Sequence, residues 1–166
     1  YQNAITPKTK LLLVSHVINI SGQVMPIRKI CDMAHAQGVK VLVDGAHAFA
    51  QLVFNIPDLH CDYYGASLHK WLSSPLGAGI LYVSKENQDL IWPLIGPSKG
   101  EELGVAKFNH TGTHPVATDL TIEDAIEHYK LVGPARKQAR LKFLQQYWTQ
   151  QIMDIPGVVY NTPKQD

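Results

Sequence analysis

The chain has 166 residues, 45% of them hydrophobic and 17% charged. That suits one globular domain with a sizeable core, and it is too apolar for a disordered chain. Fifteen Lys and Arg against fourteen Asp and Glu leave a net charge of +1, which gives no electrostatic drive toward nucleic acid or a membrane surface.

No apolar run approaches the ~18 residues needed to cross a bilayer, and nothing at the start resembles a signal peptide. A cytoplasmic location is therefore the default expectation. Cys31 and Cys61 lie in separate segments, which excludes a disulfide framework and a Cys-rich zinc site. The ends read as cut. The chain opens at Tyr1, in a loop leading into a strand, and closes on the β-like run Val158-Val159-Tyr160 followed by polar residues. A piece of a larger protein is expected.

Leu11-Leu12-Leu13-Val14 is a continuous apolar run of strand length, the pattern of a strand buried on both faces. A polar turn, residues 15–23, follows. Pro26 suits the first turn of a helix, and Ile27, Ile30, Cys31, Ala34 and His35 recur at helical spacing until Gly38 stops it. Val39 to Val43 is a second strand, ending at Asp44-Gly45. Together they predict a βαβ unit and hence a parallel sheet with helices on its faces.

A short helix is expected over Ala46 to Leu52, a third strand over Asp62 to Ser67 and a fourth over Gly77 to Val83. Ser84 is a candidate helix cap before Lys85 to Leu90. Residues 93–118, rich in Pro and Gly, read as a long loop region. Thr121 with Asp124 predicts a capping box opening a helix to about Val132, which Gly133-Pro134 breaks. Pro134 then starts a longer helix to about Met153, with Leu141, Leu144, Tyr147, Trp148 and Ile152 as its apolar stripe. Pro156-Gly157 turns the chain toward a last strand. The basic stretch Lys130, Arg136, Lys137, Arg140 and Lys142 reads as a solvated helix face.

Ligands bind beyond the carboxyl ends of the strands in open parallel sheets. Polar residues gather at those ends: Ser15, His16 and Asn19 after the first strand, Asp44 and His47 after the second, and Ser67, His69 and Lys70 after the third. A carboxylate, an amine and several hydrogen-bonding groups are thus expected along one edge.

Ser67-Leu68-His69-Lys70-Trp71 followed by Gly77-Ala78-Gly79, taken with Val43-Asp44-Gly45-Ala46-His47-Ala48, resembles the class V aminotransferase family of pyridoxal-phosphate (PLP) enzymes. That family includes cysteine desulfurases, kynureninases and isopenicillin N epimerase-like proteins. His-Lys-Trp and Asp-Gly-Ala-His look most like the epimerase-like branch. The resemblance runs almost through the chain, as far as the helices at 121–153. It implies an α/β fold with a mostly parallel sheet and helices on both faces, part of the large domain of a fold-type-I PLP enzyme. Residues 1–120 would be the central part of that domain, 121–154 connecting helices, and 155–166 the start of a small C-terminal domain.

The resemblance also implies roles. Lys70 would hold PLP as an imine and move protons at the substrate α-carbon. Asp44 would bond the pyridine nitrogen and keep it protonated, and His47 would hydrogen-bond the ring hydroxyl with help from Asn19. Ser67 and His69 would bind the phosphate. In Thr111-Gly112-Thr113, Thr113 would reach across a dimer interface to the phosphate of the partner's cofactor, making the functional unit a homodimer. The implied substrate is an amino acid or related amine. Transamination, epimerisation and elimination all remain open, as does the desulfurase alternative.

Each of these residues has a plainer reading. Lys70 could be a surface lysine, Asp44 a turn-former, His47 a helix-surface histidine and Asn19 a turn residue, and Trp71, which could stack near the cofactor, is more often simple packing. His110 and His114 have the spacing of a helical metal pair, but Gly112 and Pro115 argue against a helix there and no metal is expected. Leu68 stands where the family usually has a small residue, which would crowd the phosphate side. Arg28, Arg136 and Arg140 sit on predicted helices, and none matches the arginine that grips a substrate carboxylate in the family. Cys31 and Cys61 read as small buried residues rather than the desulfurase cysteine. With these parts missing, a non-catalytic folding fragment or interaction domain is the alternative from another class.

Overall fold

A four-stranded sheet in the order β1-β2-β3-β4 forms the centre of the computed structural model, which describes residues 1–96, 104–108, 112–113 and 116–162. Strands β1 (Leu11–Ser15), β2 (Lys40–Asp44) and β3 (Tyr63–Ser67) run parallel, with Ser15 beside Asp44 and Asp44 beside Gly65. Strand β4 (Gly79–Val83) pairs antiparallel with β3. The α/β class and the mostly parallel sheet are as the sequence predicts.

Helix α1 (Ile27–His35) makes the β1-to-β2 crossover. It begins directly after Pro26, and Gly38, at a φ of +70°, lets the chain turn back into β2. Ile27, Ile30, Cys31 and Ala34 are spaced for one helix face, and all four are buried against Val14, Val41, Val43 and Tyr64 of the sheet. Each large apolar side chain so buried contributes about 1.5–3 kcal/mol.

The expectation that β1 is buried on both faces is corrected. Leu12 and Val14 face α1, but Leu11 is 48% and Leu13 63% exposed, and Leu81 of β4 is 61% exposed on the same side. Helix α1 covers one face of the sheet; among the described residues β1 is an edge strand whose second face lies open.

At the amino end of β3, Asp62 is 3% exposed and saturated with donors. Its Oδ2 accepts the Val41 N–H at 2.7 Å and lies 2.7 Å from His35 Nε2; its Oδ1 lies 3.0 Å from Lys40 Nζ and accepts from Asn87 Nδ2 at 2.8 Å. Burial alone would push this carboxyl up. The hydrogen bonds from His35, Val41, Lys40 and Asn87 outweigh it and hold the group down to about 2.

Several local expectations fail. Residues 46–52 form successive turns rather than a helix: Phe49 N–H reaches Gly45 O and Leu52 N–H reaches Ala48 O, but Ala50 adopts a φ of +58° and breaks the run. Helix α2 (Ala117–Leu120) leads almost directly into α3 (Ile122–Val132). Thr121 therefore forms no capping box; its hydroxyl donates to Thr118 O. Helix α4 (Pro134–Ile152) has the expected length, but Leu144, Tyr147 and Trp148 are 41–59% exposed and Thr149 is its buried residue. Residues 158–160 form no strand. They fold back along α4, with the Tyr160 ring 6.3 Å from that of Trp148 and its hydroxyl bonded to Gln145 Nε2.

Candidate active site

The three parallel strands release their chains at one edge. After β1, His16 N–H donates to Asp44 O at 2.8 Å, extending the β1–β2 pairing by a residue. The His16 side chain turns inward: it is 5% exposed, its Nδ1 lies 3.3 Å from the Tyr64 hydroxyl, and its ring stands edge-on to Phe54 at 4.8 Å. Burial lowers its pKa to about 4, so this histidine is a neutral packing element. The chain then forms a hairpin closed by Ile18 N–H to Gln23 O, with Asn19 exposed at its turn.

Strand β2 ends at Asp44, whose Oδ1 accepts the Ala46 N–H at 2.9 Å. Its second oxygen has no partner among the described residues, and the side chain is exposed. The next position must be glycine. A Cβ on Gly45 would lie 2.0 Å from the Tyr64 ring, which packs directly against the Asp44-Gly45 turn. The buried Tyr64 ring thus shapes the turn that presents Asp44 and, three residues on, His47.

Strand β3 ends at Ser67. Leu68 beyond it is 2% exposed and packs with Ala50, Leu72, Ala78 and Ala125, so it enters the core rather than crowding the polar edge. His69 is half-buried with no side-chain hydrogen bond among the described residues. Lys70 is exposed, and its Nζ lies 3.3 Å from His47 Nε2. On the other side of the imidazole, Trp71 Nε1–H donates to His47 Nδ1 at 3.4 Å. The turns after β2 and β3, 23 residues apart, are joined through this one ring.

Of the seven predicted site residues, the fold joins Lys70 and His47 directly and sets Asp44 in the same turn as His47, with Ser67 and His69 leading into Lys70. No hydrogen bond links Asn19 or the exposed Thr113 to them among the described residues. Thr111, His110 and His114 lie outside the described residues. Among those described, no group of three or more His, Cys, Asp or Glu could hold a metal ion. Cys31 and Cys61 are buried, which pushes their thiols up to about 12 and about 11.

Two contacts escaped the sequence reading. Trp71 is a hydrogen-bond donor into the site, which no spacing reveals. Lys137 of α4 does not sit on a solvated face: it is half-buried, donates to Trp71 O, and stands 5.9 Å from the Trp71 ring and 5.5 Å from the Tyr129 ring. Burial lowers its pKa.

Known proteins bear on this arrangement. The chain is 29% identical to the isopenicillin N epimerase of Streptomyces clavuligerus over 176 residues, covering 96% of this chain and 44% of that one. It is 30% identical to a probable cysteine desulfurase of Xylella fastidiosa, covering 92% and 39%. The chain therefore spans about two-fifths of the length of these relatives. Among solved structures, the apo cysteine desulfurase of Thermococcus onnurineus superposes with a TM-score of 0.77 at 26% identity, covering 93% of this chain and 41% of that one. The cystine C–S lyase C-DES, in complex with cysteine persulfide, superposes with a TM-score of 0.81 at 26% identity, covering 93% and 45%. No described helix is long and apolar enough to cross a membrane. The aminotransferase class-V family model matches residues 1–166, and the chain belongs to that family.

Proposed function

We propose that this chain carries the cofactor-anchoring core of a PLP-dependent enzyme acting at the α-carbon of an amino acid or related amine. The observation that carries the reading is the Lys70 amine lying 3.3 Å from His47 at the sheet edge where Asp44 ends β2. The residues fit PLP: Asp44 keeps one carboxylate oxygen free among the described residues, and the imidazole three residues on lies 3.3 Å from an exposed amine. PLP, when bound, supplies an electron sink for charge developing at the substrate α-carbon.

Lys70 is the amine that anchors the cofactor and moves the proton at the α-carbon. Asp44 holds a proton on the pyridine nitrogen through its free oxygen. His47 hydrogen-bonds the ring hydroxyl with help from Asn19; Ser67 and His69 receive the phosphate. Thr113 serves the phosphate of a second copy, which makes the enzyme a homodimer. A cytoplasmic location and the division at about residues 120 and 154 belong to the same reading.

Epimerisation and cysteine desulfuration are supported equally, by relatives at 29% and 30% identity. Cys31 and Cys61, both buried, offer no accessible thiol for the second. Incubation with PLP should produce a visible absorbance band, and borohydride reduction with peptide mapping should place the label on Lys70. A Lys70→Ala chain that still develops the band removes the assignment. A panel of amino acids assayed for keto acid, sulfide and racemised product then separates the reaction types. A chain that folds yet never takes up PLP would instead favour a non-catalytic folding or interaction domain.

A further inference from the structure

Trp71 follows Lys70 in the turn between β3 and β4, and its indole points back at the His47 nitrogen that Lys70 does not touch. The indole Nε1 is 3.4 Å from Nδ1, and Lys70 Nζ is 3.3 Å from Nε2. An indole N–H only donates, and a neutral imidazole has a single acceptor nitrogen. Accepting from Trp71 at Nδ1 therefore leaves the hydrogen on Nε2. A Lys70 ammonium would demand the opposite tautomer, so two donors compete for one lone pair.

Their anchoring decides the contest. Lys70 is exposed and can turn its amine to water. Trp71 is half-buried, packs on the core formed by Leu68, Leu72, Ala78 and Ala125, and is gripped from α4 by Lys137, which bonds its carbonyl and lies over its ring.

We propose that Trp71 is a positioning residue: its indole N–H holds His47 as the Nε2–H tautomer, so the histidine presents a donor, not an acceptor, at the Lys70 end of the site. The value of that donor to a cofactor ring oxygen rests on the function proposed above; the tautomer itself does not.

The test uses the whole ¹⁵N-labelled chain without PLP, at about pH 8, above the ordinary histidine pKa. Long-range ¹H–¹⁵N correlation reads both ring nitrogens of His47, assigned by their loss in His47→Gln. The expected wild-type pattern is a protonated Nε2 and a bare Nδ1, with the Trp71 indole proton shifting as His47 titrates. In Trp71→Phe, Lys70 captures Nε2 and the pattern moves toward Nδ1–H, while the buried His16 signals stay in place. A wild-type His47 protonated at Nδ1, an indole proton indifferent to its titration, or an unchanged pattern in folded Trp71→Phe each overturns the proposal. The two wild-type readings decide it if the variant does not fold. With PLP added, Trp71→Phe should shift the pH midpoint of the visible band. Wild type that keeps the Nε2–H pattern but never develops a band sinks the cofactor reading alone.

Discussion

Two aspartates at opposite ends of the sheet divide the molecule's polar chemistry. Asp62, at the amino end of β3, is buried and takes four donors from His35, Lys40, Val41 and Asn87. Asp44, at the carboxyl end of β2, is exposed and takes one, the Ala46 N–H. The same side chain is structural where its hydrogen-bonding capacity is used up internally, and available to a ligand where half of it is left over. Lys40 and Lys70 repeat the contrast: one amine is spent on Asp62, the other lies beside a histidine at the open edge.

Substitutions should break this contrast in unequal ways. Asp62→Ala strips the partner from four donors at once and should cost about 3 kcal/mol in urea unfolding. A loss below about 1 kcal/mol would deny it a structural role.

Acid should dissect the two ends in turn. His16 has its pKa depressed from 6.5 to about 4 by burial. The unfolded chain therefore binds its proton first, and stability falls as pH drops through that window, by about 3 kcal/mol if His16 acts alone. Asp62 is depressed from 3.8 to about 2, so its stabilisation is present above 3.8 and is lost as pH falls toward 2. Urea midpoints measured against pH should show the first decline in wild type and its absence in His16→Gln.

Gly45→Ala drives a methyl into the Tyr64 ring at 2.0 Å and should cost about 2 kcal/mol, with the Asp44 turn displaced. Asp44→Asn is the smallest: stability should stay within about 0.5 kcal/mol while PLP uptake weakens. An Asp44 variant as destabilised as Asp62→Ala would erase the distinction between the two ends.

The sequence-legible parts are those whose cause is local. The apolar runs of β1 and β2, Pro26 before α1 and Gly38 after it are read within a few residues, and all lie where periodicity puts them. The parts misread depend on distant partners. Ala46 to Leu52 has helical composition, yet Ala50 turns left-handed in a segment held against the core by Leu68 and Leu72. Lys137 looks like any helix-surface cation until Trp71, 66 residues earlier, is placed beside it. The α4 stripe has the right spacing, but the described chain leaves Tyr147 and Trp148 half or more exposed. For the site, the motif brought Lys70, Asp44 and His47 into view; the orientation of the imidazole between Lys70 and Trp71 is a matter of three dimensions and was not legible.

Because β4 runs against β3, the segment that carries Lys70 leaves and re-enters the sheet on adjacent strands, about 4.8 Å apart. Leu68 N–H bonds Ala78 O and Ser74 N–H bonds Leu68 O, so the two legs flanking Lys70 are stitched together. A graft or spacer spliced into its far limb, around Pro75 and Leu76, would lengthen the excursion while Lys70 kept its address.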